Sequence, residues 1–125
     1  MTQDEKKLLL RDLCARLPYG VKGIVSRSDH NNRKCEFVAT IDGKLYDRFA
    51  VFQESWYDNI TIKPYLFPLS SMTKEQNLEY LRTCLGGNAG VPTLASFEWC
   101  DKNHFDYRGL IPMGIAMDAT GKNIY

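Results

Sequence analysis

The sequence predicts an α+β fold, in which a mainly antiparallel sheet of three to five strands packs with an N-terminal helix and two later helices. Two observations favour this class. Segments with helical spacing of apolar residues stand at the start and in the second half of the chain, whereas the middle alternates apolar and polar residues. No helical pattern separates the strands, so antiparallel neighbours are expected. The length of 125 residues predicts a single compact domain over residues 1–125.

The first helix is predicted from a capping box at Thr2–Glu5 and is ended by Pro18 and Gly20. Its apolar stripe, which we expect to face the core, contains Leu9, Leu13 and Leu17, with Leu10 and Cys14 beside them. Its polar face carries charges of both signs, which we expect to be solvated: Asp4, Glu5, Lys7, Arg11, Asp12 and Arg16.

The strands are predicted from β-branched and alternating segments. Val21–Val25 is the first, and the polar stretch Ser26–Lys34 is read as an exposed loop. Cys35–Ile41 and Leu45–Gln53 flank Asp42–Gly43, a sequence typical of a tight hairpin turn.

The second half of the chain returns to helices. Ser55–Asn59 is predicted as a turn and Ile60–Ile62 as a short strand that could extend to Tyr65. Capping signals at Thr73 and Thr93 start two helices. The first of them carries the stripe Leu78, Leu81 and Leu85 with Cys84 and ends at Gly86–Gly87. The second runs from Leu94 to about Asn103, with Leu94, Phe97 and Cys100 on one face. Residues 105–125 are predicted as extended, with one more strand between Leu110 and Met117.

The candidate ligand-binding residues lie close together near the C-terminal end: His104, Asp106, Tyr107 and Arg108. In a strand, His104, Asp106 and Arg108 would share one side while Tyr107 points away. A histidine near a carboxylate can act as a general base, and an arginine can hold an anion. The same cluster is equally typical of a structural knot of hydrogen bonds, which is the interpretation that we favour. No catalytic residue is predicted.

No metal or cofactor is predicted either. Cys100 lies four residues before His104, and His30 lies near Cys35, but structural zinc sites show paired short spacings that are missing here. Cys14 and Cys84 are interpreted as small apolar core residues.

A partner-binding surface is predicted around Lys63–Leu69, where two prolines enforce an extended backbone. Tyr65 and Phe67 are either buried in the core, the favoured interpretation, or form an apolar ridge for a partner together with Trp56. A weaker alternative is nucleic-acid binding through basic and aromatic side chains, Arg33, Lys34 and Trp56.

The charge balance argues against nucleic-acid and acidic-membrane partners, since 16 Lys and Arg face 15 Asp and Glu. The sequence shows no long apolar run and no signal-peptide pattern, which predicts a cytoplasmic protein without a membrane partner.

Two motifs carry a resemblance to a known group of proteins. Lys63–Thr73, which reads KPYLFPLSSMT, and His104–Ile111, which reads HFDYRGLI, are similar to sequences in a functionally uncharacterised family of small proteins from gut-anaerobe genomes and their phages and mobile elements. The similarity covers residues 60–117, about half of the chain. It implies a cytoplasmic, phage-borne or mobile-element accessory protein, and it transfers no catalytic or binding residue.

These observations favour a non-enzymatic accessory or protein-interaction module. The first alternative is a small-molecule binder or small enzyme that uses the cluster of His104, Asp106, Tyr107 and Arg108. The second is the nucleic-acid binder described above. The predicted partner is a protein, and the sequence leaves open whether the chain forms a homo-oligomer.

Overall fold

The computed structural model describes residues 2–27, 32–41, 44–47, 60–86 and 90–125, and side chains at 2–24, 62–86 and 90–125. Three α-helices are present in these ranges: α1 spans Gln3–Arg16, α2 spans Lys74–Thr83 and α3 spans Leu94–Lys102. None of the helices in the described ranges has the length and apolarity needed to cross a membrane.

All three helices begin with a capping box. In α1 the Thr2 hydroxyl accepts a hydrogen bond from the Glu5 amide at 3.1 Å, and the Glu5 carboxylate accepts one from the Thr2 amide at 3.3 Å. Thr73 and Thr93 cap α2 and α3 in the same reciprocal way. The predicted helix starts are therefore confirmed, because capping satisfies amides that have no partner inside the helix.

The described strands form a six-stranded sheet in the order β3-β2-β1-β4-β5, with β6 also paired to β4. Pairing is antiparallel between β1 and β2, β2 and β3, and β1 and β4, and it is parallel where β5 and β6 join β4. The α+β class and the mainly antiparallel sheet are confirmed, and two short parallel strands are added. The bounds are β1 Lys22–Arg27, β2 Asn32–Ile41, β3 Lys44–Asp47, β4 Ile60–Pro68, β5 Phe105–Asp106 and β6 Met117–Asp118.

Two boundary predictions are wrong. Much of the predicted loop Ser26–Lys34 belongs to strands, because Ser26 and Val25 of β1 pair with Asn32 and Arg33 of β2. Ladder hydrogen bonds join backbone groups, so polar side chains do not prevent pairing. The strand predicted between Leu110 and Met117 is replaced by turns at 110–116, and only Met117–Asp118 is extended. The predicted turns at Asp42–Gly43 and Ser55–Asn59, and residues 48–53 of a predicted strand, lie outside the described residues.

β4 is longer than predicted. It includes both prolines of the Lys63–Leu69 stretch and every residue of that stretch except Leu69. Pro64 pairs with Gly23 at the final position of the β1–β4 ladder. A proline is tolerated there because it removes a donor where the ladder ends.

The described core lies between α1, the sheet and the segment that follows β5. Its buried cluster comprises Leu9, Leu13, Val21, Ile62, Leu66, Leu110, Ile115 and Ala116. The predicted leucine stripe of α1 is thus confirmed at Leu9 and Leu13. The prediction is wrong for Cys14, which is exposed, and Cys84 is only half-buried.

Candidate functional site

A network of buried charges joins α1 to the residues around β5. Asp12 and Arg16 are fully buried, in contrast to the predicted solvated face. The Arg16 guanidinium donates from Nε to Asp12 Oδ2 at 2.9 Å, and from Nη1 and Nη2 to the carbonyl oxygens of Cys100 at 3.3 Å and Phe105 at 2.6 Å. These partners explain the burial, since a charge can leave water only when its hydrogen-bonding groups are satisfied.

Asp101 and Arg108 complete the buried charge network, which we define as Asp12, Arg16, Asp101 and Arg108, and Tyr107 contacts it. Arg108 Nη1 donates to Asp12 Oδ1 at 2.7 Å and lies 3.9 Å from Asp101 Oδ1. The Tyr107 hydroxyl donates to Asp101 Oδ1 at 2.9 Å, and its ring centroid lies 4.6 Å from Cζ of Arg108. Two guanidinium groups thus offset two carboxylates within the protein.

Burial shifts the acidity of the groups around this network. It raises the pKa of Asp101 above its ordinary value, although the hydrogen bond from Tyr107 and the nearby Arg16 and Arg108 oppose the shift. Burial also raises the pKa of the Cys100 thiol to about 11, so this thiol is protonated at neutral pH. A protonated, buried thiol is a poor nucleophile.

Asp106 organises the turn that follows β5. Its Oδ1 accepts a hydrogen bond from the Leu110 amide at 2.9 Å, and its Oδ2 accepts one from the Ile111 amide at 2.8 Å. Gly109, with φ of 78°, supplies the left-handed backbone that brings the chain back toward the carboxylate. Both carboxylate oxygens are therefore engaged in holding the turn.

His104 is in a different environment. Its backbone φ is 62°, and its ring stacks on Tyr125 with centroids 3.7 Å apart and an interplanar angle of 10°. It is only 7% exposed, and its buried Nδ1 has no hydrogen-bond partner. Burial, together with smaller effects of the cations of Arg16 and Lys22, lowers the pKa of His104 to about 4. The imidazole is therefore neutral at physiological pH.

These contacts divide the predicted ligand-binding cluster. His104 stacks on Tyr125, Asp106 holds a turn, and Arg108 pairs with Asp12. The expected shared face does not form, because β5 ends at Asp106 and the chain enters a bend at Arg108. Asp106, Tyr107 and Arg108 bind groups of the chain itself, which favours the structural interpretation of the cluster.

The predicted partner-binding residues are also partly withdrawn from the surface. Tyr65 is 4% exposed and belongs to the core, in contrast to the ridge alternative. Phe67 is half-buried, and its ring centroid lies 5.8 Å from that of Phe105 and 6.0 Å from that of Tyr125. Trp56 lies outside the described residues.

The remaining sequence hypotheses stay predictions. Arg33 and Lys34 lie in β2, but the structure does not describe their side chains, so nucleic-acid binding through them stays a prediction. Among the side chains that the structure describes, no group of three or more His, Cys, Asp or Glu residues could hold a metal ion.

A small cavity of about 150 Å³ lies beside β4 and β5. Typical ligand pockets have volumes of about 300–1,000 Å³, so this one is suited at most to a very small molecule. The residues that line it carry no ionisable side chain: Phe67, Ser71, Gln76, Phe105, Thr120 and Gly121.

Among the side chains that the structure describes, the most exposed apolar ones lie instead on α2, α3 and their connection. Leu78 is 57% exposed, Leu85 66%, Val91 52% and Leu94 74%. We call these residues the helix-pair surface. α2 contributes no buried residue at all. Backbone hydrogen bonds join Leu85 and Val91 in both directions, at 2.9 and 3.2 Å, and so fix two members of the surface side by side.

Hydrogen bonds of Thr93 and Ser96 to the Thr83 carbonyl, which we call the polar seam, hold the two helices together. The fully buried Ser96 hydroxyl donates to the Thr83 carbonyl at 3.2 Å, and the Thr93 hydroxyl donates to the same carbonyl at 2.8 Å. Tyr80 and Trp99 pack with ring centroids 5.8 Å apart. The helix-pair surface is therefore presented by a defined scaffold.

The sequence signals for this surface are the predicted apolar stripe of Leu78, Leu81 and Leu85 and the apolar face that begins with Leu94. Leu78, Leu85 and Leu94 are all exposed. The apolar face of an amphipathic helix has the same spacing whether it meets its own core or another molecule.

Comparison of the chain with protein-family models, curated proteins and solved structures finds no match in any of the three.

Proposed function

We propose that this protein is a non-enzymatic protein-interaction module that binds its partner through the helix-pair surface. The observation that carries the proposal is the exposure of four apolar side chains on two helices and their connection, which a polar seam holds in place: Leu78, Leu85, Val91 and Leu94. Apolar side chains grouped on a surface gain free energy when a partner removes them from water.

The charges on α2 and α3 define the chemistry of the partner. Exposed groups of both signs lie on these helices: Lys74, Glu75, Glu79, Arg82, Glu98 and Lys102. A partner with apolar side chains framed by charges of both signs would match them, whereas a polyanion would meet three carboxylates. This argues for a protein rather than a nucleic acid at this surface.

The polar groups near β5 give further support. Asp106, Tyr107 and Arg108 are committed to contacts within the chain, which leaves them little capacity to bind a substrate. We also propose an accessory role in a phage or mobile element, which the sequence resemblance implies.

The test is a quantitative capture experiment with cells that encode the chain. Immobilised wild type is compared with Leu94→Glu, which places a charge at the most exposed leucine, and with Met113→Glu as a matched control outside the surface. We expect at least one protein whose recovery falls about tenfold with Leu94→Glu and is unchanged with Met113→Glu. Circular dichroism verifies that both variants are folded.

Two outcomes would contradict the proposal. One is recovery of the same proteins in the same amounts with wild type and Leu94→Glu. The other is an equal loss with Met113→Glu, which would show that the effect does not depend on the helix-pair surface.

A further inference from the structure

We infer that a second copy of this chain pairs with α2, in an antiparallel two-fold arrangement centred beside Leu78. This deepens the proposed function, on which it rests, by naming one partner of the α2 end of the helix-pair surface. The inference depends on the pattern of charges along a single face of α2.

That face carries Leu78 and Glu79 at its centre and charges of opposite sign at its two ends. Glu75, Leu78, Glu79 and Arg82 follow each other at the spacing i, i+3, i+4 and i+7, which places them on one side of a helix. Glu75, Leu78, Glu79 and Arg82 are all exposed, with Leu78 at 57%. Within the described part of the chain, no ion pair engages Glu75, Glu79 or Arg82.

The two ends of this face are complementary to each other when the face is reversed, and their two attractive contacts offset the approach of the two Glu79 carboxylates beside the axis. A two-fold axis beside Leu78 and Glu79 lays Glu75 of one copy next to the partner's Arg82, and the symmetry repeats the contact at the other end. Leu78 of each copy is covered at the centre. A parallel arrangement would instead bring identical charges together, so the pattern selects the antiparallel pair.

The test is sedimentation of the full chain over a range of concentrations up to about 1 mM, where even weak pairing is populated. We expect wild type to form a dimer and Leu78→Glu to remain monomeric. Glu75→Arg alone and Arg82→Glu alone should each weaken pairing by about tenfold, because each replaces two attractive contacts by two repulsive ones. The double variant should restore wild-type affinity to within about threefold, since the charges are then merely exchanged.

A chain that stays monomeric over the whole range would overturn the inference, as would a dimer that persists in Leu78→Glu or a double variant that pairs no better than the single ones. If pairing fails while Leu94→Glu still abolishes capture of another protein, the inference falls and the proposed function stands. If pairing behaves as expected but no other protein is captured, the surface serves self-association and heterologous binding is contradicted.

Discussion

Replacing Arg16 with methionine is expected to lower the free energy of unfolding by about 3–5 kcal/mol, the range for removal of one partner from a buried ion pair. The substitution keeps much of the side-chain volume but removes the donors that serve Asp12 and the carbonyl oxygens of Cys100 and Phe105. Those acceptors would then be buried with fewer partners, which is costly in a medium of low polarity. Urea unfolding followed by circular dichroism measures the effect.

Arg11→Met is the matched control for this prediction. Arg11 is exposed on the same helix, so the same chemical change should alter the free energy of unfolding by no more than about 0.5 kcal/mol. Similar small losses for both variants would mean that the buried charge network contributes little to stability.

The second large effect is a loss of stability in acid that depends on His104. Its pKa in the folded protein is about 4, below the ordinary value of 6.5, so between these values the unfolded chain binds a proton that the folded chain does not. The stability that the protein gains by keeping His104 neutral is complete above pH 6.5 and is lost as the pH falls toward 4. Its full size is about 3 kcal/mol, from the free energy that one pKa unit represents.

His104→Asn tests this dependence, because asparagine tolerates the left-handed backbone at position 104 and does not titrate. The variant should be less stable at pH 7, since it loses the stacking on Tyr125, but its free energy of unfolding should change less between pH 7 and 4. The raised pKa of Asp101 acts in the opposite direction, since a carboxyl with a raised pKa favours the folded state at low pH. If His30→Asn flattened the profile and His104→Asn did not, the assignment to His104 would be wrong.

Local signals allowed most of the helical structure to be predicted. The capping boxes at Thr2 and Thr73 depend on residues within four positions of each other, and both form as expected. The strands were predicted less well, because pairing joins distant segments and can extend through polar residues such as Asn32 and Arg33.

The buried charge network could not be predicted in this way. Asp12 and Arg16 share the helical face of Leu9 and Leu13, and this spacing was the available signal. Burial of the pair depends on Arg108, which lies 96 residues from Asp12, and on carbonyl groups near β5. A sequence read by local periodicity contains no indication of these partners, so the charges were assigned to solvent.

The observed candidate site differs from the predicted one for a related reason. The cluster of His104, Asp106 and Arg108 was expected to share the face of a strand, but a strand of two residues cannot hold three alternating positions together. Conversely, Leu78 and Leu94 lie on predicted apolar helix faces and are exposed, because amphipathic spacing does not reveal what covers a helix.

The central claim is that the charged segment after α3 holds the fold together through its contact with α1. A double-mutant cycle of Asp12→Asn and Arg108→Met, with the free energy of unfolding as the readout, tests it most directly. The hydrogen bond of 2.7 Å between these side chains predicts a coupling energy of about 1–3 kcal/mol. A coupling below about 0.3 kcal/mol would show that the two residues act independently, and would contradict the claim.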